Sequence, residues 1–199
     1  MKGRRKAWPT TLAACLAMAS VRVLAWEPTA EQRAELASGG VIVVADVDSS
    51  RRSGEVQAAV QIAAGAEEIF RTLTDCTQAL EFVPHLERCS VLERAPDDSW
   101  QVVEQDLDYG WYRPRITVVF RAEYEPFERI RFTQVRGDLK VNEGTWQLTP
   151  THDGASTIVT YSVRVVPRFY VPRRMMQSSL KRDLPDLLRG LRSRCEKPS

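Results

Sequence analysis

The residues of this chain with chemistry to offer are two histidines, three carboxylates on one alternating stretch, two aromatic–arginine runs and four cysteines. His85 follows Pro84, and His152 sits in a Thr-His-Asp-Gly turn. A histidine can exchange a proton near neutral pH, which makes either a formal acid–base candidate. His152 reads as a surface residue. His85 reads as a polar rim residue, or as a general base if a cavity lies beside it. The histidines lack metal-ligand spacing and the cysteines lack C-x-x-C spacing, so no metal site is expected. Glu104, Asp106 and Asp108 share one face of Trp100–Tyr109. Paired carboxylates do acid–base work when they line a cavity. Val103, Leu107 and Tyr109 are the better inward set, which leaves the acids to solvent. The chain has no G-x-S-x-G, phosphate loop or G-x-G-x-x-G. No catalytic residue and no cofactor is therefore assigned.

Tyr109-Gly110-Trp111-Tyr112-Arg113-Pro114-Arg115 joins three aromatic residues and two arginines in one short run, and Arg168-Phe169-Tyr170-Val171-Pro172-Arg173-Arg174 repeats the theme. Such runs suit either a packed hairpin corner or a half-wet mouth against lipid. Cys76 and Cys89 either bridge, closing a short loop, or stay as two thiols, and Cys195 is left over near the tail. Arg136-Gly137-Asp138 spells an adhesion tripeptide and is read as an ordinary turn.

The elements that must position these residues follow from periodicity. Residues 1–25 carry a basic start (Lys2, Arg4, Arg5, Lys6), an apolar stretch from Leu12 to Val21 and small residues near Ala25. That is the pattern of a secretory leader and is too short to span a bilayer. A competing reading takes Leu12-Ala13-Ala14-Cys15 as a lipobox with a lipid-anchored Cys15. The leader holds five basic and no acidic residues, so the remainder has 23 basic against 26 acidic residues, net −3. From Arg164 onward ten basic residues face three acidic ones, and residues 26–163 are net −10. An acidic exported chain does not suit nucleic acid. Its basic end could dock on an anionic membrane surface or simply be a solvated helix face paired with the acidic body.

Glu27–Ala37 has helical character, Val41–Val47 reads as a strand, and Val56–Ile62 alternates cleanly. Glu67–Leu73 is a short helix, followed by a loop or second short helix through Glu87 and a strand at Cys89–Ala95. Alternation then predicts strands at Trp100–Tyr109, Arg115–Glu125, Arg129–Arg136, Lys140–Thr149 and Thr157–Val166. A long amphipathic helix opens at Pro172 and ends near Cys195. Met176, Leu180, Leu184, Leu187, Leu188 and Leu191 form its apolar stripe, and Pro185 is expected to kink it. Strands followed by one long helix mean an α+β fold, with the stripe buried on the sheet's concave face.

This order resembles the helix-grip fold of the START-like (SRPBCC) superfamily, which includes polyketide cyclases/dehydrases, lipid-transport proteins and coenzyme Q-binding proteins. The resemblance rests on Val60-Gln61-Ile62, Ala63 through Phe70, Thr74-Asp75 and Phe82-Val83-Pro84. It continues through Gly144-Thr145-Trp146-Gln147-Leu148, Thr157 through Tyr161, and Pro172 with Asp183-Leu184-Pro185. The resemblance covers a START-like domain (54–195), preceded by the leader (1–25) and by an N-terminal helix and extra strand (26–53) that depart from the simplest family pattern, and followed by a tail (196–199). It implies a cavity between sheet and terminal helix for a lipid, isoprenoid quinone or polyketide-like molecule. The expected wall is Phe120, Phe132, Trp146, Tyr161, Met176 and Leu180. The reading is of an exported, periplasmic binder or carrier. The alternatives are a cyclase, aromatase or dehydratase acting on a bound substrate, and an envelope interaction module without ligand.

Overall fold

The computed structural model describes residues 26–48, 53–111, 115–168 and 170–196, apart from the side chains of Arg173, Met175 and Met176. Its elements run α1 (Ala30–Ala37), β1 (Val41–Asp48), β2 (Ser53–Ile62), α2 (Ala66–Thr74), α3 (Cys76–Phe82), β3 (Leu86–Arg94), β4 (Trp100–Leu107), β5 (Ile116–Glu125), β6 (Arg129–Gly137), β7 (Leu139–Pro150), β8 (Thr157–Pro167) and α4 (Arg173–Cys195). The eight strands make one sheet in the order β1-β2-β8-β7-β6-β5-β4-β3, with antiparallel pairing throughout. This is the expected α+β helix-grip arrangement: a curved sheet holding one long C-terminal helix.

Strands β3–β8 follow one another as an antiparallel meander, and β8 then pairs with β2. The chain between β2 and β3 must therefore cross from one side of the sheet to its far edge, and α2 and α3 make that crossing. Asp75 starts α3 by accepting a hydrogen bond from the Thr77 amide at 2.7 Å. Pro84 follows its end, where the preceding Val83 takes an extended conformation. Within the stretch Asp75–Glu87, Cys76–Phe82 is thus a two-turn helix, and the remainder is turn and the start of β3.

On the concave face, alternate residues of β2 (Val56, Ala58, Val60, Ile62) meet Val159 and Val163 of β8, Leu148 of β7 and the stripe of α4. Leu188 and Leu191 are fully buried and Leu184 nearly so. Full burial of each contributes roughly 1.5–3 kcal/mol. The helix runs continuously through Pro185. Gly190 lets α4 press against α3, since a Cβ there would sit 3.2 Å from the Cβ of Phe82.

The opposite face of β2 is also covered. Ala59 packs with Ile42 and with Leu36 of α1, while Trp26 and Ile158 border the cluster. A reciprocal capping box between Thr29 and Gln32 starts α1. Arg192 of α4 reaches its end, donating to the carbonyls of Gly39 (2.9 Å) and Gly40 (3.1 Å). Arg194 pairs with Glu81, and Arg189 with Asp186. Several arginines of the basic helix are therefore engaged with the body or with their own helix.

The adhesion-like tripeptide is a structural turn. Gly137 takes φ +126° against the Thr117 carbonyl, and Asp138 accepts from the Thr117 amide at 2.8 Å. Cys76 and Cys89 are bridged, tying the start of α3 to β3, and Cys195 is a buried free thiol.

Candidate functional site

Between the sheet, α3 and the N-terminal half of α4 lies a cavity in two lobes. The inner lobe, about 140 Å³, sits under α3. The outer lobe, about 330 Å³, opens toward the start of α4 and the β4–β5 connection.

Four consecutive strands furnish the aromatic wall of the inner lobe. Phe120 (β5) meets Phe132 (β6) edge-on at 5.9 Å, Phe132 stacks toward Tyr161 (β8) at 6.1 Å, and Tyr161 lies 4.1 Å from Trp146 (β7). These four share the concave face because strand side chains alternate. Trp146 and Tyr161 are direct cross-strand partners. Gly144 makes the packing possible: a Cβ there would lie 2.6 Å from the Phe132 ring. Cys76, Ala79, Phe82 and Val83 form the roof. Val163, Val165, Leu180 and Leu184 give the outer lobe its apolar lining.

Of the wall residues expected from sequence, Phe120, Phe132, Trp146 and Tyr161 come together around the inner lobe, and Tyr161 also faces the outer one. Leu180 lies in the outer lobe, away from the first three. The Met176 side chain lies outside the described residues. Sequence reasoning passed over Gln101, Tyr124, Gln105 and Asn142, which also line the cavity. Gln105 keeps the phase of Val103 and Leu107, and Asn142 that of Trp146 and Leu148. A polar residue interrupting an inward apolar series was the available signal.

The titratable groups at the wall are mostly committed. Removal from water tends to raise the Asp75 carboxyl, but the Gln78 side chain and the Thr77 and Gln78 amides outweigh this and hold it below its usual range. Tyr124 is pushed well up by burial, opposed by a hydrogen bond with Gln101, whose amide donates to the Thr74 carbonyl at 3.2 Å. Burial, with Tyr109 nearby, also raises the Tyr161 phenol far above its ordinary value, so it remains a hydrogen-bond donor. His85 stands at the rim. Its Nε2 is 3.7 Å from Asp183 of α4 and its ring 4.6 Å from Tyr109. His152 is exposed in its turn.

The strand carboxylates face away from the cavity. Arg88 bonds both Asp106 (2.7 Å) and Glu104 (3.1 Å), and the Thr117 hydroxyl donates to Asp106. That hydroxyl first, then Arg88, hold Asp106 below its usual range despite partial desolvation. Asp108 binds the Gly110 amide and Arg115. Among the described residues no cluster suited to a metal ion occurs, and no helix is long and apolar enough to cross a membrane.

A curved antiparallel sheet, a long gripping helix and an aromatic-walled cavity between them define a helix-grip domain. The chain belongs to the family described as polyketide cyclase/dehydrase and lipid transport, whose model matches residues 62–192. Among solved structures it resembles a STAR-related lipid transfer protein of Xanthomonas axonopodis (TM-score 0.68, 18% identity, covering 79% of this chain and 94% of that one). It also resembles the Zhui aromatase/cyclase of a Streptomyces species (0.61, 20%, 72% and 94%). A third similar structure is human STARD10 (0.64, 13%, 78% and 69%). At these identities the likeness is one of fold. No curated protein compared with the chain matches it significantly in sequence.

Proposed function

We propose that this protein binds a hydrophobic small molecule in the two-lobed cavity and carries or shields it. The observation that carries this reading is the cavity itself. In a family fold with a long amphipathic helix available to fill the space, the helix stripe closes only one end, and an aromatic-walled void remains beside it. The lipid-transfer designation of the Xanthomonas structure agrees with it. A cyclase would need a free acid or base against the substrate. The carboxylate at the inner wall, Asp75, is instead spent on capping α3.

The protein acts, in this proposal, after export. Two features support that: the leader-like pattern of residues 1–25, which lie outside the described residues, and the Cys76–Cys89 bridge, a bond that persists in oxidising compartments. Membrane contact is proposed for the mouth of the outer lobe rather than for the helix face. Trp111 and Tyr170 are 97% and 71% exposed beside it, whereas Arg192 and Arg194 of the helix are engaged elsewhere. Tyr112, Arg113, Pro114 and Phe169 of the two aromatic–basic runs lie outside the described residues.

The direct test is titration with Nile red, a neutral dye that brightens in apolar surroundings. Saturable binding at one site, displaced by an extract of the producing cell's envelope lipids, is the expected result. Absence of any saturable site in the properly folded protein would remove the proposal.

A further inference from the structure

The two lobes meet at three residues that line both: Gln105, Asn142 and Tyr161. They come from β4, β7 and β8, and all three are neutral and polar. Their hydrogen-bonding state sets them apart from the other polar groups of the wall. Deeper in, Gln101 donates to Thr74 and bonds Tyr124, and Asp75 is saturated by Thr77 and Gln78. At the junction, the side chains of Asn142 and Tyr161 make no hydrogen bond within the described structure. The Gln105 amide makes only a long contact, 4.0 Å, to Cys89 Sγ. All three residues are half-buried rather than sealed, so their polar atoms lie open to the cavity and have hydrogen bonds to offer a molecule that enters it.

The charge of the wall narrows the partner. Among the described residues no Lys, Arg or His lines either lobe, and the two ionisable acids that do are Asp75 and Asp183. A carboxylate or phosphate held inside would meet no cation among the described residues and would face two carboxylates, so an anionic head is disfavoured. Size narrows it further. An engineered cavity of about 150 Å³ holds benzene. The inner lobe, at about 140 Å³, accepts one ring, and the outer lobe is more than twice as large.

We propose that Gln105, Asn142 and Tyr161 form a polar waist that selects a neutral ligand with a hydrogen-bonding oxygen, a ketone, quinone carbonyl or hydroxyl, set between a ring-sized end in the inner lobe and a larger apolar body in the outer lobe. The inference rests on the ligand-binding reading above. In this arrangement Asn142 and Tyr161 donate to the ligand oxygen, and Gln105 supplies either a donor or an acceptor according to its rotamer.

Three probes of one shape separate the possibilities: benzophenone, with its carbonyl between two rings; diphenylmethane, the hydrocarbon equivalent; and diphenylacetate, which places a carboxylate at the same carbon. Each is measured by displacement of Nile red from the wild type and from Tyr161→Phe and Asn142→Leu, with thermal melts to verify folding. Two neutral hydrogen bonds correspond to a preference of about ten-fold. The expected result is that benzophenone binds about ten-fold tighter than diphenylmethane and diphenylacetate weakest of all. Each variant should bring the benzophenone/diphenylmethane ratio toward one while diphenylmethane itself changes little. Equal wild-type affinities, a ratio that survives both variants, or preference for diphenylacetate would each overturn the waist. In those cases Nile red still binds and the carrier reading stands. If Nile red also fails to bind, both fall together. The wild-type comparison alone decides the matter should either variant not fold.

Discussion

The Cys76–Cys89 bridge offers the sharpest perturbation of the inner lobe, because both sulfurs belong to its wall. Cys76 opens α3, the roof, and Cys89 lies in the edge strand β3. Their sequence separation is 13 residues. For a loop of that size the chain-entropy relation gives about 3 kcal/mol of stabilisation through the unfolded state. For a chain of 150–250 residues each kcal/mol moves Tm by roughly 2–4 °C, so removing the bridge should lower Tm by about 6–12 °C. The assay is differential scanning calorimetry of Cys76→Ala/Cys89→Ala against the wild type. A Cys195→Ser variant controls for the free thiol, which is buried and should be unaffected by reductant in the native state. The wild type with a phosphine reductant should follow the double variant. Loosening of α3 should also weaken Nile red binding, since Ala79, Phe82 and Val83 of the roof depend on its position. A Tm change under about 2 °C would refute the entropic reasoning. An unchanged dye affinity would show that α3 does not need the bridge to cover the lobe.

Three further outcomes are expected. Leu188→Ala, at a position with no exposed surface in the main core, should lose about 2–5 kcal/mol in urea unfolding, and Leu187→Ala, only partly buried, clearly less. Gly144→Ala should destabilise by about 1–3 kcal/mol and weaken ligand binding, because its Cβ would crowd the Phe132 ring and the Ser162 carbonyl. Asp75→Ala removes the α3 cap and should lose about 0.5–2 kcal/mol at neutral pH. The native carboxyl is held below its unfolded value, so its contribution is complete above the unfolded pKa of about 3.9 and disappears as pH falls through the native one. Stabilities of variant and wild type measured from pH 6 downward should therefore converge in acid.

Most of the architecture was legible because the strands alternate and the helix keeps its period. The stripe Leu180–Leu191 and the inward series Val56–Ile62 and Val159–Val165 led directly to the grip of helix on sheet. What sequence could not show was depth along a strand. Phe120 and Leu180 carry the same inward signal, yet they serve different lobes. A bulge at Val119–Phe120, where β6 inserts Val135, was equally invisible. The doubly buried β2 had a sequence sign, the run Ala58-Ala59-Val60, whose second face α1 covers. The polar waist was hidden for a different reason. Gln105 and Asn142 look like lapses in an apolar pattern until both are seen to line the two lobes together with Tyr161.

The central claim is that the space between sheet and helix holds a hydrophobic molecule, and native mass spectrometry of the protein purified gently from its own producing cells tests it most directly. The expected spectrum contains the chain with one neutral organic adduct, released on activation and absent from a Val163→Trp variant that fills the outer lobe but still folds. A spectrum of bare protein, together with equal Nile red binding by the wild type and that variant, would contradict the claim.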